Sequence, residues 1–167
     1  LHSDDELKVF LSDLYDSIVL KDIISRYKIQ NVALLSKIID YLSINMSQIF
    51  SGKSIANFLK SENRECSKES LYNYLLFICS SCIADKVPRY DIRGKKALAF
   101  EEKTYVCDLG FFHLKKNRVK DEYNYMMETL CYNELVSRGY QVYVGKTYKG
   151  EIDFIATRGD EKIYVQA

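Results

Sequence analysis

The stretch GEIDFIA, residues 150–156, does most to decide how this chain folds. It sets Glu151 and Asp153 within a run of apolar residues, a pattern typical of a strand that aims charged side chains at a site. Side chains two apart on a strand share one face, so these two carboxylates are expected to point the same way. A second β-rich run at residues 163–167 contains the polar Gln166. We therefore expect neighbouring strands that bring acidic and amide side chains together.

A helix predicted over residues 121–138, ended by Gly139 as its C-cap, carries the next acidic candidate, Glu128. Strands are predicted at residues 141–144, 151–156 and 162–166. A helix packed on this sheet would bring Glu128 towards Asp153 and Gln166, with Glu134 as the alternative helix carboxylate. Hydrolysis of a phosphodiester by Mg²⁺ needs oxygen ligands and a group that helps generate hydroxide.

The last position of this constellation departs from what such chemistry requires. Gln166 binds cations weakly and no lysine follows it. We expect Glu128 and Asp153 to be the metal-ligating positions if a metal binds, and we expect no nuclease activity from this chain. The other interpretations are solvated surface charges and the remnant of an ancestral site.

The first two thirds of the chain follow the order of a winged helix-turn-helix. Apolar spacing predicts four helices, and Ser67 is a good N-cap for the last of them. Residues 84–91 are expected to form an edge strand, because Pro88 lacks an N–H group. Helices are predicted at residues 4–29, 33–46, 51–60 and 68–83, and a further strand at 104–108.

A small basic group near the predicted wing is the candidate contact for nucleic acid. Its members are Arg89, Arg93, Lys95 and Lys96. The predicted recognition helix, at residues 68–83, is poor in arginine, so discrimination between bases should be weak. The net charge of +1 gives no attraction for nucleic acid across the whole chain. The alternative is a winged helix that packs against protein.

The five cysteines predict a reduced, cytoplasmic protein. Cys79 and Cys82 form a CxxC, but no second pair exists to complete a zinc site, so we expect both thiols to be buried on a helix. No signal peptide and no membrane-spanning run is visible. The chain lacks an initial Met and stops within an apparent strand, which predicts a fragment of a larger polypeptide.

Several motifs together resemble the C-terminal half of a large group of bacterial and archaeal ATP-binding proteins. These carry an N-terminal AAA-type ATPase module and end in a domain of unknown function. The matching motifs are LYDSIVLKDII at residues 14–24, KTYVCDLG at 103–110, METL at 127–130, NEL at 133–135, RGYQVYVG at 138–145 and EIDF at 151–154.

The resemblance implies both a fold and a set of site residues. The last domain of the group resembles the PD-(D/E)xK restriction-endonuclease-like fold, often with an eroded active site. Glu128 and Asp153 match its acidic positions, and Gln166 stands where the Glu of its Glu-x-Lys motif would be. ATP is implied only for the parent protein, and Mg²⁺ only for an intact nuclease site.

These observations predict an α+β chain in three segments. Residues 1–30 form a helical lead-in that is similar to an ATPase lid, residues 31–114 a winged helix-turn-helix, and residues 121–167 a truncated nuclease-like domain. The expected function is a regulatory or nucleic-acid-engaging module of an AAA-type ATPase, without catalysis of its own. The alternatives are a Mg²⁺-dependent DNase and a protein-binding adaptor. Expected partners are the ATPase module itself and either DNA or a protein, with no membrane.

Overall fold

The computed structural model describes residues 4–91, 96–110, 123–147 and 150–167. Its described residues belong to two compact units. Unit 1 comprises Leu1–Ile44, Gly52–Ala84 and Val106–Val119, and unit 2 comprises Asn45–Ser51, Asp85–Tyr105 and Lys120–Ala167. Helices and one mixed sheet confirm the α+β class.

The first helical segment of unit 1 consists of three consecutive parts. Helix α1 spans Asp4–Asp16, continues as a π-helix over Ser17–Ile24 and closes with α2, Ser25–Tyr27. Lys28, which is in the left-handed conformation with φ 50°, ends this segment. The single α-helix predicted over residues 4–29 is therefore interrupted by a π-helical stretch.

Three further helices follow, and local capping explains where two of them begin. They are α3, Val32–Ile44; α4, Gly52–Ser61; and α5, Lys68–Ser80. The Asn31 side chain accepts a hydrogen bond from the Leu34 N–H at 3.0 Å, and Ser67 Oγ accepts one from Ser70 N–H at 3.1 Å. The predicted N-cap role of Ser67 is confirmed.

The apolar stripes read from the sequence form the core of unit 1. Helix α3 packs against α4 and α5. The apolar stripe of α3 is buried, and so is that of α5, whereas Cys82 is exposed. The buried members are Leu34, Leu35, Ile38, Ile39 and Leu42 on α3, Ile55 and Leu59 on α4, and Leu71, Leu75 and Ile78 on α5.

The strands of the described residues form one six-stranded sheet, in the order β1-β3-β2-β4-β5-β6. Strand β2 runs parallel to β4, whereas β4, β5 and β6 are antiparallel neighbours. Their bounds are Ile49–Phe50 for β1, Ala84–Asp91 for β2, Lys96–Val106 for β3, Gln141–Lys146 for β4, Glu151–Arg158 for β5 and Glu161–Val165 for β6.

The position of β2 corrects the prediction that Pro88 confines it to an edge. It lies between β3 and β4, and its pairing with β4 runs from Arg89 to Asp91. Pro88 precedes that ladder, so its missing N–H removes none of these hydrogen bonds. The strands predicted to form a separate wing therefore share a sheet with the strands of the predicted nuclease-like domain, and a winged helix is not confirmed.

Helix α6, Tyr123–Ser137, packs on this sheet and completes the core of unit 2. Tyr105, Tyr132 and Phe154 stack or tilt against one another, with ring centroids 4.5–6.2 Å apart. The cluster consists of Val87, Tyr105, Tyr132, Leu135, Val142, Val144, Phe154 and Ala156.

Apolar residues of α6 lie on both its buried and its exposed sides. Thr129, Tyr132 and Leu135 are buried, whereas Leu130 and Val136 are exposed. Apolar residues occur on several sides of this helix, so periodicity alone could not select the correct side. Gly139, with φ 79°, ends the helix as predicted.

Candidate functional site

An irregularity in β5 places its carboxylates on the side that faces α6. Tyr143 pairs with Ile155 and Gly145 with Ile152, so Asp153 and Phe154 together stand opposite the single residue Val144. Such a bulge re-aims side chains. Phe154 belongs to the core cluster, and Glu151 forms an ion pair with Lys103.

Lys103 of β3 lies at the centre of the site. Its Nζ is 2.9 Å from Glu128 Oε1 and 2.5 Å from Glu151 Oε1, so one ammonium bridges a helix carboxylate and a strand carboxylate. Only 7% of the Lys103 side chain is exposed. Charge-assisted hydrogen bonds in so sheltered a place are stronger than their counterparts in water.

Two more side chains complete this group. The Tyr105 hydroxyl donates a hydrogen bond of 2.7 Å to Glu128 Oε1, and Arg89 Nη2 donates one of 2.8 Å to Glu151 Oε2. We call Arg89, Lys103, Tyr105, Glu128 and Glu151 the Lys103 network. Its two cations and two carboxylates balance in charge.

The network perturbs the titration of Lys103 and Tyr105. Burial alone lowers the pKa of Lys103, but the hydrogen bonds and charges of Glu151 and Glu128 outweigh it and raise that pKa above its ordinary value. Burial raises the pKa of the Tyr105 hydroxyl, and the negative charge of Glu128 raises it further. Lys103 is therefore an ammonium and Tyr105 a neutral phenol at pH 7.

Asp153 makes a separate set of contacts at the end of the sheet. Its Oδ2 accepts hydrogen bonds from Gln166 Nε2 at 2.5 Å and from Ala167 N–H at 2.9 Å. Burial raises the pKa of the Tyr105 hydroxyl and that of the Cys131 thiol, and the nearby negative charge of Asp153 raises both further. Gln166 therefore acts towards Asp153 as a hydrogen-bond donor.

The predicted site residues are thus divided between two sets of partners. Glu128 binds Lys103, Asp153 binds Gln166, and the described part of the chain holds no group of three or more His, Cys, Asp or Glu side chains arranged for a metal. The alternative carboxylate, Glu134, is exposed and pairs with Arg138.

The predicted nucleic-acid contact is corrected at Arg89. This residue is buried and holds Glu151, because its strand is interior to the sheet. Lys96 is the first residue of β3, and Arg93 and Lys95 lie outside the described residues.

The cysteine prediction is wrong in part. None of the five cysteines forms a disulfide, but Cys79 is only half-buried and Cys82 is exposed. Helix α5 ends at Ser80, and Cys82 follows in a left-handed turn with φ 53°, so it does not continue the buried stripe.

Lys103 and Tyr105 belong to the KTYVCDLG motif at residues 103–110, but no functional role was predicted for either of them. The available signal is their alternation on a strand, which places both side chains on one face. Nothing local indicates that this face meets Glu128, because that contact depends on which strands are neighbours.

Comparison with known proteins finds one family and two relatives of similar sequence. The model of the family described as Domain of unknown function (DUF8612) matches residues 1–122. An uncharacterized protein of Haemophilus influenzae is 36% identical over 165 residues, covering 98% of this chain and 41% of the relative. Uncharacterized protein MJ1544 of Methanocaldococcus jannaschii is 28% identical over 164 residues, covering 95% of this chain and 36% of the relative.

The chain therefore spans less than half the length of these two relatives. No solved structure matches it. Among the described residues, no helix combines the length and apolar character needed to cross a membrane.

Proposed function

The chain belongs to the DUF8612 family, and we propose that it is a non-catalytic regulatory module of a larger ATP-binding protein. The observation that carries the proposal is the position of Lys103 Nζ between Glu128 and Glu151. In a nuclease-like arrangement Glu128 would face a divalent cation together with Asp153. Here a side chain of the same polypeptide supplies the positive charge.

The internal ammonium opposes metal binding. A divalent ion on Glu128 and Glu151 would have to displace Lys103 from two ion pairs. The displaced ammonium would then need new partners in a site that is largely closed to water. An unpaired charge in such a place costs about 3–5 kcal/mol, which would be subtracted from the metal affinity.

The same geometry disfavours the Mg²⁺-dependent DNase. A lysine that activates water must release its proton, and the two carboxylates raise the pKa of Lys103, so Lys103 is a poor substitute for the lysine of the Glu-x-Lys motif. Gln166 donates a hydrogen bond to Asp153, whereas a metal ligand would present a lone pair. In this proposal the chain binds a partner and transmits that binding to the ATP-binding part of the parent protein.

Two observations support the larger parent protein. Both relatives are more than twice as long as the region they share with this chain. The motifs at residues 14–24 and 103–110 resemble those that follow the ATPase module of AAA-type proteins. A regulatory module attached to an ATPase fits both, and a protein-binding adaptor is its closest alternative.

Catalysis and metal binding are tested together. The chain is incubated with supercoiled plasmid and Mg²⁺ or Mn²⁺, and metal affinity is measured by titration calorimetry. We expect no cleavage and no saturable binding. Cleavage that is lost in both Asp153→Ala and Glu128→Gln, but kept in the exposed control Glu134→Gln, would establish the DNase instead.

The proposed regulatory role is tested in the full-length parent protein. ATP hydrolysis is compared between the full-length parent and a parent carrying Lys103→Met, with Lys37→Met as the surface control. We expect a change in turnover only for Lys103→Met. A parent that hydrolyses no ATP would refute this part of the proposal.

A further inference from the structure

The sheet of unit 2 has a second face, which carries tyrosines. Tyr143, Ile155 and Tyr164 lie side by side on β4, β5 and β6, because directly paired residues share a face. Their alternation along β5 puts Ile155 on the side opposite Ala156, which belongs to the core under α6. This row therefore lies away from the Lys103 network.

Two more side chains join the row. The Tyr90 ring lies 5.6 Å from the Tyr143 ring, and Lys162 Nζ lies 4.8 Å from the centre of Tyr90 and 5.7 Å from the centre of Tyr164. We call Tyr90, Tyr143, Tyr164 and Lys162 the tyrosine face. Tyr164 is 53% exposed, and Ile155 beneath the group is fully buried.

Lys162 is the charged member of this surface. Its ammonium rests on aromatic rings, and within the described part of the chain it has neither a hydrogen bond nor an ion pair to a carboxylate. The tyrosine face thus offers flat rings for stacking together with a cation that has no anionic partner there.

We propose that the tyrosine face binds single-stranded nucleic acid. A base would stack on the exposed part of the Tyr164 ring and contact the edges of Tyr90 and Tyr143, and Lys162 would meet a phosphate. Aromatic platforms with nearby cations bind single strands in this way, with little dependence on sequence, because every base has a π-face.

The charge of Lys162 argues for this occupant over an apolar protein segment. A purely apolar cover would bury the ammonium without an anion, which is costly. A phosphate neutralises it, while the rings keep contact with a flat apolar surface. The inference adds a ligand class to the proposed regulatory module and uses none of the residues of the Lys103 network.

The test is a fluorescence-anisotropy titration of the chain with a labelled oligothymidylate of about 20 nucleotides, enough to cover one site of this kind. Tyr164→Ala should weaken binding at least about five-fold, since each stacked base contributes strongly. Tyr164→Phe should bind as wild type, because the ring is kept. Tyr123→Ala is the matched control, as Tyr123 is 74% exposed on α6.

Salt dependence tests the cation separately. Lys162→Gln should lower the slope of log affinity against log salt by about 0.7, the value for one phosphate contact of a single strand. Thermal unfolding of each variant confirms that the fold is kept.

Three outcomes would overturn the proposal. They are no binding at low salt, equal losses in Tyr164→Ala and Tyr123→Ala, and polyglutamate binding as tight as that of the oligonucleotide, which would indicate an acidic protein partner. None of them bears on cleavage or metal binding, so the proposed function would stand or fall on its own tests.

Discussion

Lys103 has two carboxylate partners and almost no contact with water, and this sets the consequence of removing its charge. Lys103→Met keeps much of the side-chain volume but leaves Glu128 and Glu151 facing each other without the shared cation. We expect the free energy of unfolding to fall by about 3 kcal/mol, as measured by urea denaturation at pH 7.

The matched control is Lys37→Met. Lys37 pairs with Glu62 at 2.6 Å, but both side chains are more than one third exposed. Loss of such a surface pair costs about 0–1 kcal/mol. Equal effects of the two substitutions would show that the Lys103 network contributes no more than a surface pair.

A smaller side chain at the same position should turn the network into a weak cation site. Lys103→Ala leaves space between Glu128 and Glu151, and hard divalent ions prefer carboxylate oxygens. We expect millimolar Mn²⁺ to raise the melting temperature of Lys103→Ala but not that of wild type. The double variant Lys103→Ala, Glu128→Gln should lose the response, and a response in wild type would contradict the blocking role of Lys103.

Gly139 is a position where the backbone itself limits substitution. It ends α6 with φ 79°, and an added Cβ would meet no atom within 4 Å. A cost of Gly139→Ala must therefore come from the left-handed conformation. We expect a loss of about 1 kcal/mol, measured by chemical denaturation.

Gly150→Ala provides the comparison for this prediction. Gly150 also has open space around its Cα, but its φ lies outside the left-handed region. The substitution should leave stability unchanged or slightly raised, because it restricts the unfolded chain. If both variants behaved alike, the C-cap role of Gly139 would be refuted.

Elements were predictable from the sequence where local rules decide them. Ser67 caps α5 through a hydrogen bond to a residue three positions away, and Gly139 ends α6 through its own backbone. The place of β2 between β3 and β4 was not predictable, because the partners of a strand lie far along the chain. Arg89 was misplaced for the same reason, since an arginine next to a turn resembles a surface cation until its strand is known to be interior.

The candidate site could be predicted from the sequence only in part. Glu128, Glu151 and Asp153 were identified from residue type and spacing, and unit 2 does contain all three. Their partners depend on tertiary contacts, because Lys103 reaches Glu128 across 25 positions of sequence and Glu151 across 48 (151 minus 103). A pairing of this kind leaves no local pattern, so the sequence indicated the carboxylates but not the ammonium that joins them.

The Lys103 network should make stability fall at high pH. The pKa of Lys103 and that of Tyr105 are both raised in the folded chain. Above about pH 10, where lysine and tyrosine of an unfolded chain release their protons, the folded state retains protons that the unfolded state has lost. Stability then decreases as pH rises, since it falls wherever the folded state binds more protons. The contribution is fully present below about pH 10 and is lost as pH rises towards the folded values.

Urea denaturation at a series of pH values between about 7 and 11 tests this behaviour. Wild type should lose stability steeply above about pH 10, and Lys103→Met should lose less, because one of the two groups has been removed. Tyr123→Phe, which removes an exposed hydroxyl on α6, should follow the wild-type curve. A Lys103→Met curve parallel to wild type above about pH 10 would mean that the two carboxylates do not hold the Lys103 proton, so that an internal ammonium does not take the place of a metal.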